Sequence, residues 1–134
     1  MTEYREFGAA GLSRVRALYE DSGWLAYLGD PDKLARTFAG SLFVLGAFRD
    51  DVLIGFIRCV GDGEHIVYVQ DLIVDKAYRR QGIGRTLLRK ARETYRHVRT
   101  FLLITDASDE NANTFYQTIK MKSCEDAGLT GYLG

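Results

Sequence analysis

Proline is almost missing from this chain: Pro31 is the only one in 134 residues. Extended Pro-rich linkers are thereby excluded, and the turns fall to Asp, Asn and the 14 glycines. Cysteine is scarce too. Cys59 and Cys124 lie far apart, match no metal-ligand spacing and read as two reduced thiols, so no metal site is expected. No apolar run approaches the ~20 residues that cross a bilayer, and Met1 to Glu6 hold no apolar signal core. The expectation is a cytoplasmic protein without membrane attachment. Net charge is absent as well, since 18 basic residues cancel 18 acidic ones. That excludes a global field favouring nucleic acid, although a local basic cluster can still hold a small anion.

What is present reads as one globular domain over residues 1–134, with no repeat, low-complexity tract or linker. Leu12, Val15, Leu18 and Tyr19 follow helical spacing, and Ser22-Gly23 ends that helix. Trp24 to Leu28 is an aromatic connection. Asp30-Pro31 starts a second helix, with Asp30 as N-cap and Leu34 and Phe38 on its buried face. Leu42–Phe48, Val52–Val60 and His65–Val74 read as three strands of an antiparallel meander, turned at Arg49-Asp50-Asp51 and Gly61-Asp62-Gly63. The period then changes. A helix is expected over 84–98, a strand buried on both faces over 101–105, and a last helix over 112–121. Strand, helix and strand in this order imply one right-handed parallel step. The tail from Gly128 to Gly134 is read as a final edge strand, one that a second copy of the chain can extend into a homodimer.

The sharpest motif is Arg79-Arg80-Gln81-Gly82-Ile83-Gly84, between a strong strand and an amphipathic helix. Glycines there turn the backbone tightly and bare consecutive N–H groups at the positive end of a helix, which suits phosphate oxygens. Arg79, Arg80 and Arg85 add positive charge. A Rossmann fingerprint is excluded because its third glycine position is Leu87; a Walker loop is excluded because its first is Arg79.

Asp71-Leu72-Ile73-Val74, then Arg79-x-x-Gly82-x-Gly84, then Leu87-Leu88, resembles the acetyl-coenzyme A motif of the GNAT superfamily, Gln/Arg-x-x-Gly-x-Gly/Ala. The order of elements and Phe115-Tyr116 in the last helix are similar to that family as well. Lys120-Met121 departs from it, standing where many members carry Gly-Phe. Trp24 to Tyr27 and Gly55 to Gly63 are similar to small-amine acetyltransferases of the serotonin N-acetyltransferase type.

The resemblance implies an α+β GNAT (acyl-CoA N-acyltransferase) fold, with a mainly antiparallel mixed sheet splayed at its centre and helices on both faces. It implies acetyl-CoA as co-substrate, held by the backbone of Leu72, Ile73 and Val74 and by the segment Arg79, Arg80, Gln81, Gly82, Ile83, Gly84, Arg85 and Thr86. Asn111, or Asp109 beside it, and Tyr116 join the cofactor side. Direct transfer needs a proton acceptor for the amine, for which Asp71 is the first candidate and the turn carboxylate Glu64 a weaker one. Tyr116 is the candidate donor to the leaving thiolate. Trp24 and Tyr27 are the acceptor-pocket candidates. The leading expectation is N-acetylation of a small-molecule primary amine. Acetylation of a protein lysine or N-terminus, and a non-catalytic acyl-CoA-binding sensor, are the alternatives.

Overall fold

The computed structural model describes residues 1–134, which group into two compact units, Met1–Leu103 and Ile104–Gly134. The first holds a five-stranded sheet in the order β1-β2-β3-β4-β5. Its strands are β1 (Glu3–Glu6), β2 (Phe43–Arg49), β3 (Val52–Gly61), β4 (Ile66–Val74) and β5 (Thr100–Leu103). All neighbours are antiparallel except β4 and β5, which run parallel. Three helices accompany them: α1 (Leu12–Asp21), α2 (Pro31–Ala39) and α3 (Ile83–Thr94).

The two faces of the sheet are covered by different helices. On one, Val15, Leu18 and Tyr19 of α1 and Leu34 of α2 bury against Phe48, Leu53, Phe56 and Ile73. Phe7 fills the remaining gap, edge-on to Phe48 and Phe56. On the other, α3 buries Ile83, Leu87, Leu88 and Ala91. Each such side chain contributes about 1.5–3 kcal/mol when fully withdrawn from water.

Local chemistry explains the connections. Asp30 caps α2 through the amides of Asp32 and Lys33, with Pro31 in the first turn as expected. Asp50 and Asp51 both take positive φ (51° and 62°), the pair of left-handed residues that a two-residue hairpin requires. Between β3 and β4, Asp62 accepts from the amides of Glu64, His65 and Ile66 at 2.8–3.0 Å. The hydrogen bonds from His65, Ile66 and Glu64 hold its carboxyl down at about 2.

Several expectations are corrected. Glu3–Glu6 is a strand, although its four residues carry no apolar alternation; antiparallel pairing with β2 holds it. α3 stops at Thr94 rather than Val98, because Tyr95 leaves helical geometry to set its ring edge-on against Phe43. β5 is half-buried rather than buried on both faces, since it is the last strand and its outer edge has no neighbour. The tail from Gly128 to Gly134 forms no strand; Gly128, with φ of 79°, closes a turn and the exposed residues beyond it pair with nothing.

The second unit is built on α4 (Glu110–Thr118), capped by Asp109 through the amide of Ala112. The helix ends where Lys120 takes φ of 67° and the Met121 amide returns to the Tyr116 carbonyl at 3.0 Å. Lys120 thus holds the left-handed position that glycine fills without strain. Lys120→Gly is expected to raise stability by about 0.5–1 kcal/mol, read as a higher urea midpoint. Acid supplies another test. The Asp62 carboxyl is depressed in the fold, so its contribution is present above the ordinary 3.8 and is lost as pH falls towards 2. In urea titrations across that window, Asp62→Asn is expected to flatten the decline.

Candidate functional site

β4 is the strand on which the site is built, and its register decides what it offers. Arg58 of β3 faces Asp71, yet the next residue, Cys59, faces Val69. Gln70 is therefore an extra residue, a bulge that reverses the alternation of the strand. Val69 pairs with Cys59, which with Tyr95 lies on the α3 side, whereas Asp71 and Ile73 turn to the side of α1. β5 pairs only with Ile66 to Val69. From Gln70 onward the outer edge of β4 has no β5 partner.

The free groups on that edge can be identified. The Asp75 amide bonds to the Ile54 carbonyl at 2.7 Å, so Asp75, and by alternation Ile73 and Asp71, direct their main-chain groups to β3. Leu72 and Val74 consequently point theirs outward. The Val74 carbonyl accepts from Arg79 Nε at 3.2 Å; the Leu72 and Val74 amides and the Leu72 carbonyl stay open. Of the three β4 residues expected to touch the cofactor, Ile73 is thus bound to β3 through its main chain and to the core through its side chain.

The Gly-rich segment follows. Gly82 is the N-cap of α3 with φ of 80° and ψ of 10°, and no side chain caps the helix. The first helical hydrogen bond is from the Thr86 amide to the Gly82 carbonyl. Ile83, Gly84 and Arg85 therefore present three consecutive amides without partners, and the helix dipole adds to their pull on an anion. Arg79, Arg80 and Arg85 are exposed around them. The Thr86 amide is taken up by the helix, so of the expected cradle segment Ile83, Gly84 and Arg85 are the helix residues with free amides.

Asp71 is the buried centre of the other half of the site, at 1% exposure. Its Oδ2 accepts from Tyr19 Oη at 2.7 Å and from Arg58 Nε at 2.6 Å, and its Oδ1 accepts from Tyr27 Oη at 2.9 Å. Burial works against the Arg58 charge, but the Asp71 carboxylate outweighs it and the guanidinium pKa rises. Burial also raises the phenols of Tyr19 and Tyr27, so both remain protonated at neutral pH. Tyr27 has one proton and gives it to Asp71. Gln70, 3.2 Å away, must therefore donate through Nε2, which turns its Oε1 away from Tyr27. The amine-proton acceptor expected at Asp71 is thus a carboxylate with both oxygens engaged by three donors, and Tyr27 is the member nearer solvent.

Tyr27 stacks on Tyr19 with centroids 4.4 Å apart and planes 13° apart. It also walls an open cleft of about 420 Å³ with Gly29, Asp30, Lys33, Leu34 and Thr37. Trp24 stacks on Tyr19 as well, at 5.9 Å, and is not among the residues lining the cleft. Glu64 is exposed on the β3–β4 turn, its amide held by Asp62. Sequence reasoning missed Tyr19, Arg58 and Gln70. The signal was there for Arg58, a charge inside an apolar β3 opposite the only acidic residue of β4.

In the second unit, Tyr116 and Phe115 lie on α4 with rings 5.2 Å apart. Burial, and after it the charge of Asp109, raises the Tyr116 phenol. Asp109 is the cap of that helix, and Asn111 is exposed in its first turn.

An antiparallel sheet with one parallel strand, split beside a bulge and followed by a bare helix N-terminus, defines a class of acyl-CoA-binding fold. The family model described as the acetyltransferase (GNAT) family matches residues 10–120, and the chain belongs to that family of acetyl-CoA-dependent acetyltransferases. A solved GNAT-family acetyltransferase of Streptococcus pneumoniae is 30% identical, covering 100% of this chain and 97% of that one, with a TM-score of 0.84. An N-acetyltransferase of Thermoplasma acidophilum, solved with coenzyme A, shares the fold at 21% identity over 91% of this chain and 90% of its own, with a TM-score of 0.75. An aminoglycoside acetyltransferase, AAC(6')-Iy, solved with the bisubstrate analogue CoA-S-monomethyl-acetylneamine, does so at 18% identity over 92% of each chain, with a TM-score of 0.72. Among curated proteins, a UPF0039 protein of Schizosaccharomyces pombe is 31% identical over 81 residues, 58% of this chain and 52% of its own. The chain spans about half the length of that curated relative.

Removing one partner of a buried ion pair leaves an uncompensated charge, at a cost of about 3–5 kcal/mol. Arg58→Met is therefore expected to lower the urea unfolding free energy by about that amount. Tyr27→Phe, which removes one of three donors to Asp71, should cost about 1 kcal/mol.

Proposed function

We propose that this chain is one N-acetyltransferase domain over residues 1–134, moving the acetyl group of acetyl-CoA directly to a small-molecule primary amine. The observation that carries this reading is the pairing of an open β4 edge at Leu72 and Val74 with three unpartnered amides at Ile83, Gly84 and Arg85. An extended amide chain ending in a pyrophosphate matches both sets of donors. When bound, acetyl-CoA supplies the activated acyl carbon.

In this reading the Ile83 to Arg85 amides and the Arg79, Arg80 and Arg85 guanidinium groups take the pyrophosphate. Leu72 and Val74 take the amides of the pantetheine arm, and the Leu72 N–H is the donor for charge developing on the thioester oxygen. Tyr27 and Gln70 offer the acceptor amine two oxygens beside the bulge, and the cleft along Tyr27, Asp30 and Leu34 takes its remainder. Asp71 acts through Tyr27, fixing the hydroxyl so that its lone pair faces outward. The amine's proton then leaves through Tyr27-bound water rather than to the buried carboxylate. Tyr116, a phenol and so protonated at neutral pH, is the donor to the leaving thiolate. A cleft of about 420 Å³ is of a size for a small-molecule acceptor. The neighbour solved with an acetylneamine analogue points the same way.

Titration with acetyl-CoA, followed by thiol release over an amine panel, tests the reading. Gly82→Val puts a β-branched residue at φ of 80° and is expected to raise the Kd for acetyl-CoA at least tenfold, while urea unfolding reports that the fold persists. Tyr116→Phe should lower kcat by about 10- to 100-fold with little change in the KM for acetyl-CoA. A wild-type chain that binds no acetyl-CoA overturns the proposal.

A further inference from the structure

The phosphate-binding segment is braced from behind by a residue outside its motif. Arg49 is the last residue of β2 and adjoins the β2–β3 turn, the end of the sheet at which β4 also finishes. Its Nη2 donates to Gln81 Oε1 at 3.3 Å and to Thr2 Oγ1 at 2.7 Å. Its guanidinium carbon lies 5.0 Å from the centre of the Tyr78 ring. Nε is buried and has no partner. A guanidinium held with an unsatisfied buried N–H is kept there by its other contacts, and these are Thr2, Tyr78 and Gln81, the last two flanking Arg79 and Arg80.

Neither neighbouring element can do this alone. Arg14 ties the start of the same connection through Asp75 Oδ2 at 2.6 Å, and Arg79 Nε returns to the Val74 carbonyl. Between those ties and the first turn of α3 stand Arg80 and Gly82, both with positive φ (63° and 80°). Arg80 is not glycine, so its left-handed conformation is strained and needs outside support. Gln81 sits between strained Arg80 and left-handed Gly82, and Arg49 is the side chain that holds it.

We infer that Arg49 is a positioning residue for the pyrophosphate of acetyl-CoA, setting cofactor affinity by fixing Tyr78 to Gln81 so that the Ile83 to Arg85 amides converge. The inference rests on the function proposed above. Its geometry distinguishes it from a general electrostatic role: the side chain reaches Gln81 while its planar guanidinium lies over the Tyr78 ring, an arrangement that a lysine ammonium on its flexible stem does not reproduce.

The test measures the Kd of coenzyme A by calorimetry for wild type, Arg49→Met, Arg49→Lys and Gln81→Ala, with urea midpoints for each and thiol-release kinetics alongside. Arg49→Met and Gln81→Ala are each expected to raise the Kd about tenfold. The double variant should be no weaker than the worse single one, because both remove one link. The KM for acetyl-CoA should rise with the Kd while the KM for the amine stays put. Arg49→Lys, which keeps the charge, should fail to restore binding. Full restoration by lysine overturns the inference in favour of charge alone, as does an unchanged Kd in a folded Arg49→Met. A change of amine KM equal to that for acetyl-CoA would mark a merely structural role and overturn it as well. Wild-type protein that binds no coenzyme A would instead fail the parent reading, independently of Arg49.

Discussion

Side chains alternate along a β-strand, so one strand can serve two different buried faces only if the alternation is broken once. Gln70 breaks it in β4. Before the bulge the buried residues Val67 and Val69 face the helix α3; after it Asp71 and Ile73 face α1. Without the extra residue, Asp71 would be carried to the α3 face, away from Tyr19 and Tyr27, and Arg58 would lose its counter-charge inside the sheet. The same insertion turns β4 away from β5 and leaves the Leu72 and Val74 edge open. The polar cluster and the ligand edge are thus two results of one irregularity.

This also explains why a costly ion pair sits in the core. Two buried charges are no more stabilising than a well-packed apolar pair. Their use here is geometric. Arg58 also reaches Ser41 Oγ at 3.2 Å, so it links the end of α2, β3 and β4 around one carboxylate, and Tyr27 is drawn into the same set. The aromatic connection between α1 and α2 is thereby docked at one orientation above the bulge.

Most of the architecture was legible in the sequence because it follows from periodicity and turn chemistry. The spacing of Leu12, Val15, Leu18 and Tyr19, the Asp30-Pro31 start and the glycines at 82 and 84 each act locally, and each element appears where its residues call for it. What could not be read is non-local. A bulge is one residue in excess, and nothing in Val67-Tyr68-Val69-Gln70-Asp71 says that the excess residue is Gln70; only the register with β3 does. For the same reason the partners of Asp71 could not be read. Its three donors come from positions 19, 27 and 58 and meet only in the folded chain. β1 escaped notice because Glu3-Tyr4-Arg5-Glu6 is polar and owes its form to the neighbouring strand.

An opening in a sheet is a hazard as well as a site. Unpaired main-chain groups along a strand edge will accept any extended chain, including another unfolding copy of the same protein. In β4 the exposed stretch is kept to two outward-facing residues, bounded by the pairing with β5 on one side and by the Arg79 guanidinium over the Val74 carbonyl on the other. Two residues suffice to grip a short amide arm but are too few to seed a growing ladder of strands. The Arg79 guanidinium thus shortens the open edge at the point where the strand gives way to the glycine-rich turn.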